Sequence, residues 1–288
     1  MWTTFSPIWI NPWLQSKIRV VVVPMSKSRE WDSAAYHRIS GPQHSWGQKV
    51  LARLRLRGNE LVLDAGCGTG RLTAELLEQL PHGRVVALDL SHNMTVTARQ
   101  NLRPRFGERG EFAVADLQNL PFVESFDGIF STASFHWVPD HDLLFRNLHA
   151  ALKPGGWLIA QCGGQGNLTR LRECVARLSA SSTFEPYLGR YRDSWVFADA
   201  DTTRERLRLA GFVEIKTWLE PAPTTFDTAK HFCEFLATAV LHRHLECLPH
   251  NSLRNQLLSD LAGEYAEDHP PFELDYWRLN MDARKPAD

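Results

Sequence analysis

The sequence predicts an α/β fold in which a mostly parallel sheet is covered by helices on both faces, and three observations point there. Short apolar, β-branched runs alternate with helix-period segments from about residue 45 to 165, the pattern of strands buried on both sides. The first run, Leu61-Val62-Leu63-Asp64, leads directly into Gly66-Cys67-Gly68-Thr69-Gly70, which reads as a strand, a glycine turn and then a helix. Further on, Lys153-Pro154-Gly155-Gly156 separates a helical segment from another apolar run.

Taken in order, residues 46–56 are predicted as a leading helix, 60–65 as the first strand and 71–80 as the helix opened by the glycine turn. Residues 84–89 form the second strand, ending in Asp89. Ser91 caps the helix that follows, because its hydroxyl can accept an otherwise unpaired backbone N–H. A short third strand is placed at 111–115 and a fourth at 126–132. The helix over 140–152 stops at Lys153-Pro154-Gly155-Gly156, where proline and two glycines force a sharp turn, and 157–162 is the fifth strand. Past Gly163-Gly164 a helix is expected over 168–178, then a loop from 179. A helix over 203–210 leads into a sixth strand beginning at 211–215. Residues 228–265 carry helix-period stretches with little strand character, and 272–279 is the closing strand. The helical insert is a lid candidate, since ligands in such sheets bind at the carboxyl ends of the strands.

The chain has 288 residues, 43% of them hydrophobic, enough for one large domain with a full core. Residues 1–24 are rich in tryptophan but lack a positive leader region and are too short in their apolar run to span a bilayer. They are read as a poorly ordered extension, or as a start assigned upstream of Met25. Residues 25–288 are expected to form a single domain, with a core at 45–165, a substrate-side segment at 166–205 and the lid insert at 228–265.

Lys and Arg total 32 against 33 for Asp and Glu, a net charge of −1. That balance gives no overall pull toward nucleic acid or an anionic membrane. Five cysteines without a C-x-x-C pair argue for reduced thiols in a cytoplasmic protein. The twelve histidines include a dense group at His242-Arg243-His244 and His250, but no metal-ligand spacing, so no metal site is expected.

The glycine turn points to a nucleotide-like cofactor, because glycine reaches positive φ freely and lets the backbone approach a ligand. A dinucleotide fingerprint wants its third glycine three residues beyond the second. Arg71 stands there, and Gly70 falls one residue early. The run Asp64-x-Gly66-x-Gly68-x-Gly70 instead resembles motif I of the class I S-adenosylmethionine-dependent methyltransferases. Asp89, then Asp116-Leu117, then Leu152-Lys153-Pro154-Gly155-Gly156 follow in the order of that family across most of residues 36–165. The resemblance implies a seven-stranded, mostly parallel Rossmann-like sheet with its last strand antiparallel and a helical lid insert between the last two strands. S-adenosylmethionine is the implied cofactor, held by Asp64, Gly66, Cys67, Gly68, Gly70, Asp89, Leu90, Met94, Asp116, Leu117 and Ser131. A carboxylate at Asp89 can accept both ribose hydroxyls, Asp116 is placed for the adenine amino group and Met94 for the adenine face.

Phe135-His136-Trp137-Val138-Pro139-Asp140-His141 is similar to a stretch of the trans-aconitate and juvenile-hormone acid methyltransferases, and Tyr36 to Gln43 is similar to the latter group. Both groups methylate a carboxylate oxygen. The resemblance implies that Gln43 and Trp137 hold the acceptor carboxylate, that Tyr36 lies over the methionine end of the cofactor, and that His136 is a third donor or a base for a different acceptor. His136 stands where the trans-aconitate group often has glutamine, and residues 165–205 match neither group. The expected partner is a small-molecule acceptor, without nucleic acid or membrane, and the expected assembly is a monomer or homodimer. Three readings follow: carboxylate O-methylation, N- or C-methylation with His136 as base, and a non-catalytic cofactor-binding regulator.

Overall fold

Two helices, α1 (Ser33–Ile39) and α2 (Gly41–Leu51), precede the sheet in the computed structural model, which describes residues 30–287. The extension predicted at 1–24 lies outside the described residues. The leading helix begins earlier than the predicted 46–56, at Gly41, because Pro42 fits a first helical turn where no N–H is needed. Asp32 caps α1 by accepting from Ala35 N at 2.9 Å.

The main sheet contains β1 (Leu61–Ala65), β2 (Arg84–Asp89), β3 (Gly110–Val114), β4 (Phe126–Thr132), β5 (Leu152–Gly163), β6 (Val213–Pro221) and β9 (Trp277–Arg284). A separate two-stranded ribbon pairs β7 (Thr224–Thr225) with β8 (Glu273–Leu274). The main sheet runs β3-β2-β1-β4-β5-β9-β6. Strand β1 pairs in parallel with β2 and β4, while β9 is antiparallel to both β5 and β6. This is the seven-stranded, mostly parallel arrangement that the sequence predicts, with its last strand antiparallel.

Alternation along β1 explains why both faces are covered. Leu63 packs with Val86, Ile129 and Leu158 against Phe145 and Leu148 of α5 (His141–Ala151). Val62 faces the other way, with Val85 and Phe130, against Val50 and Leu51 of α2 and Leu76 and Leu77 of α3 (Arg71–Glu78). Successive strand residues point to opposite faces, so an unbroken apolar run serves two layers.

Two predicted boundaries are corrected. The Lys153-Pro154-Gly155-Gly156 run does not end in a separate turn. It lies inside β5, whose register with β4 shifts between Phe126 and Gly128, and Gly155 takes a φ of +74° there; the glycines permit a bulge rather than a break. The closing strand is not 272–279, because Glu273–Leu274 belongs to the ribbon and β9 continues to Arg284. Polar residues concealed it. Leu279, Met281 and Ala283 enter the core, while on the opposite face Arg53 holds Asn280 Oδ1 at 2.5 Å and Asp282 Oδ1 at 3.1 Å.

The insert between β6 and β9 is helical, as predicted: α9 (Ala229–Phe235), a π-helical stretch (Leu236–Val240), α10 (His242–Cys247) and α11 (Asn251–Ala266), the numbering counting α4 (His92–Phe106), α6 (Thr169–Ser179), α7 (Glu185–Leu188) and α8 (Ala200–Leu209) before it. It forms a second core in which Phe232, Phe235, Leu257, Leu261 and Tyr265 pack with Leu171 of α6, and Tyr36 and Ile39 of α1 pack against its edge. The insert is thereby joined to the N-terminal helices over the carboxyl ends of the strands.

Candidate functional site

The three glycines between β1 and α3 are required for different reasons. At Gly66 (φ +90°) a Cβ would lie 2.1 Å from Ser134 Oγ, and at Gly70 it would meet Leu102 and Ala98 of α4 at 2.8 and 3.1 Å. At Gly68 (φ +53°) a Cβ would meet no neighbouring atom within 4 Å, since the position opens on a cleft where the main chain is accessible to a ligand.

Asp89, ending β2, braces this turn. Its Oδ2 accepts from Gly68 N and its Oδ1 from Ser91 N, each at 2.9 Å. Burial raises its pKa above the ordinary carboxylate value, opposed by these N–H groups. Ser91 caps α4 as predicted, accepting from Met94 N at 3.3 Å. Asp116 accepts from Gln118 N at 2.9 Å and so caps the short turn Leu117–Asn119.

These strand ends line a cleft of about 200 Å³. Of the residues predicted for the cofactor, Tyr36, Gly66, Gly68, Asp89, Leu90, Met94, Asp116 and Leu117 line it. The other four are not among its lining residues. Asp64 commits its carboxylate to Thr73 Oγ1 at 2.6 Å, and burial pushes its carboxyl up to about 7. Cys67 turns its thiol to Gly68 O at 3.6 Å, with burial raising its pKa well above the usual thiol range. Gly70 packs on α4, and Ser131 donates to Ala65 O at 2.6 Å, fastening β4 to β1.

A smaller chamber of about 40 Å³ adjoins the cleft, sharing Trp31, Tyr36, Ala133 and Trp137 with it. Gln43, His136 and Trp137, the predicted acceptor residues, all line this chamber. Burial pushes His136 well below the usual histidine range, with the charge of Arg278 acting the same way. Its Nδ1 accepts from Gly163 N at 3.2 Å, so the proton of the neutral ring sits on Nε2. Gln43 Oε1 is buried without a hydrogen-bond partner among the described residues. Between the two spaces Tyr36 stays protonated, its hydroxyl raised to about 12 by burial and by the nearby charge of Asp89.

Sequence reasoning missed Trp31, Trp195, Phe197, Tyr276 and Arg278, which also line the chamber. Trp195 and Phe197 fall in the segment predicted only as substrate-side. Arg278 follows β8, inside the span where the closing strand was misplaced, and nothing local marks any of these residues as convergent. Among the described residues no helix is long and apolar enough to cross a membrane, and no three His, Cys, Asp or Glu side chains gather as metal ligands. In the dense histidine group, His242 packs on Trp31 with ring centroids 4.1 Å apart, and His244 is buried beside Asp193 at 3.3 Å.

A parallel sheet of this order, with a glycine turn after β1 and a buried aspartate ending β2, is similar to that of the class I S-adenosylmethionine-dependent methyltransferases. Residues 62–156 match the family model described as a methyltransferase domain. Over 132 residues the chain is 36% identical to trans-aconitate 2-methyltransferase of Escherichia coli, covering 46% of this chain and 50% of that protein. The enzyme of the same name from Variovorax paradoxus is 35% identical over 133 residues, covering 46% of this chain and 49% of that protein. The chain thus spans about half the length of the curated relatives it matches. In fold it is similar to Haemonchus contortus phosphoethanolamine N-methyltransferase 2, solved with S-adenosylhomocysteine, at a TM-score of 0.57 and 21% identity over 88% of this chain and 57% of that one. The cleft fits the cofactor of this class. It offers a carboxylate suited to ribose hydroxyls at Asp89, an apolar wall at Leu90 and Met94, and accessible main chain at Gly68.

Proposed function

We propose that this protein transfers a methyl group from S-adenosylmethionine to a carboxylate oxygen of a small acid. The observation that carries the reading is the state of His136. A carboxylate has a reference pKa of about 4, is ionised near neutral pH and needs no base. Amine, phenol and carbon acceptors call for proton removal, and His136 is the chamber's imidazole. Its Nδ1 lone pair already accepts from Gly163, and burial holds the ring neutral, so it presents a donor where a base would be wanted.

When bound, S-adenosylmethionine supplies an electrophilic methyl group on a sulfonium centre. The chain's own part is alignment and exclusion of water. His136 Nε2–H and the Gln43 side-chain amide are donors suited to a carboxylate oxygen, and Trp137 forms the wall between chamber and cleft. Trp137 is itself fixed by Trp31 and Trp195, with ring centroids 5.5 and 5.9 Å away. Similarity to enzymes named for trans-aconitate supports a carboxylate acceptor.

Transfer of tritiated methyl to a panel of carboxylic acids, amines, phenols and carbon acids tests the proposal. Carboxylic acids are expected to be labelled. Labelling of amines or carbon acids alone, with a pH dependence that disappears in His136→Ala, would instead establish the base-assisted reading. Cofactor binding with no turnover on any acceptor would favour a regulator.

A further inference from the structure

A buried guanidinium faces the acceptor chamber with no carboxylate to balance it. Arg278 is 2% exposed, and its Nε and Nη2 are sealed without a hydrogen-bond partner among the described residues. The ionisable groups that face it are the hydroxyls of Tyr36 and Tyr276 and the thiol of Cys162, none of them ionised at neutral pH, and burial pulls its own pKa down. Its other support is the Trp46 ring, 4.5 Å below the guanidinium carbon. Glu220 stands opposite Arg278 on β6, but its carboxylate is engaged by Asn280 Nδ2 at 3.3 Å and Lys49 Nζ at 3.7 Å.

A buried charge without a partner is costly, and folded chains retain one where a ligand completes it. Of the described side chains lining the chamber, Arg278 alone carries a charge, since His136 is neutral. Five of its neighbours in that lining are indole rings or phenyl rings: Trp31, Trp46, Trp137, Trp195 and Phe197. We infer that Arg278 is the anion anchor of the acceptor site, and that one cation within aromatic walls selects a small acid with a single carboxylate and a flat apolar body. A polyacid would bring further negative charges into a chamber that has nothing to pair with them. The inference rests on the carboxylate reading above and narrows it.

The experiment measures binding of benzoate, benzamide and trans-aconitate to the full chain by calorimetry and by tryptophan fluorescence. It uses the wild type, Arg278→Met and Arg278→Lys, with thermal unfolding recorded for each. Benzoate is expected to bind the wild type at least about tenfold more tightly than benzamide or trans-aconitate, because a charge-assisted pair is lost in the one and unpaired charges are buried in the other. Arg278→Met should weaken benzoate about 100-fold, leave benzamide and S-adenosylhomocysteine binding within about twofold, and keep or raise the melting temperature, since it removes an uncompensated buried charge. Arg278→Lys should keep the preference for benzoate at lower affinity, because the charge remains while the planar fork is lost.

Benzoate binding unaffected by Arg278→Met would overturn the anchor while leaving carboxylate methylation standing. Loss of benzoate, benzamide and thermal stability together would mark Arg278 as a stacking residue. Tighter wild-type binding of trans-aconitate than of benzoate would refute the single-charge selection. Absence of binding or methylation for every carboxylic acid, with activity on another acceptor class, would remove the carboxylate reading itself.

Discussion

The cofactor-side cleft and the acceptor chamber share Trp31, Tyr36, Ala133 and Trp137, yet they are built in opposite ways. The cleft is made where consecutive strands end, and its polar surface is main chain braced by carboxylates: Gly68 N on Asp89 and Gln118 N on Asp116. The chamber draws on α1 and α2, the turn after β4, residues 167–197, the π-helical stretch and the start of β9, and its polar groups are those of side chains such as Gln43, His136 and Arg278. Carboxylates crowd one side and an arginine occupies the other. A site made of backbone at fixed strand ends suits a ligand that stays the same, whereas a site made of distant side chains can be altered for a new acceptor without disturbing the sheet.

The largest effect that would sharpen this contrast is expected from Asp89→Ala. The variant loses the brace on Gly68 as well as the carboxylate proposed to accept two ribose hydroxyls, so the dissociation constant for S-adenosylhomocysteine should rise about 100-fold while benzoate binding stays near the wild-type value. Calorimetry with each ligand separates the two sites, and an equal loss of both would mean that they are one site.

A second expected effect is of opposite sign in the two regions. His244 in α10 packs on Tyr191 and Trp195, with centroids 4.4 and 6.2 Å away, and its Nδ1 is buried without a partner. Burial therefore lowers its pKa from 6.5 to about 4. The unfolded chain takes up a proton below pH 6.5 and the folded chain does not until about pH 4. Its contribution is full above pH 6.5 and is lost as the pH falls, by about 2 kcal/mol near pH 5. Asp64 is the reverse case: its folded carboxyl is raised to about 7, so its contribution is full below the unfolded value near 4 and is lost as the pH rises through 7. Hydrogen exchange should show α10 loosening as the pH falls from 6.5 toward 4 and the β1–α3 turn loosening as it rises from 4 to 7, with His244→Gln relieving the acid effect. Loosening of both regions at the same end of the pH range would break the contrast.

The smallest effect is expected from Ser131→Ala. Its hydroxyl bonds Ala65 O, away from the cleft, so about 1 kcal/mol of stability should be lost in denaturant titration with cofactor affinity unchanged. A tenfold weaker cofactor would return Ser131 to the binding surface.

The same contrast explains what could be read in advance. Strands β2 and β4 fall at the predicted residues, and Ser91 caps α4 as expected, because each depends on neighbours in the chain. Gln43, His136 and Trp137 were found through motif resemblance and do meet in one chamber. Asp64, Cys67 and Gly70 belong to the glycine-turn motif, and Ser131 to the same predicted cofactor set, yet they face inward or toward α4, since a motif specifies a turn and not which of its side chains a ligand touches. Trp195, Phe197 and Arg278 gave no local signal.

By itself the sequence determined the doubly covered sheet and the glycine turn at its strand ends, since alternation of apolar residues, glycine turns and caps are effects of a few neighbouring residues. The tertiary structure decided which polar groups meet across long separations in the chain. It alone shows that the proton of His136 sits on Nε2, because Gly163 N lies against Nδ1. It alone shows Arg278 buried beside Trp46 without a counter-ion among the described residues, for burial and the absence of a partner are properties of packed surroundings that no stretch of sequence contains.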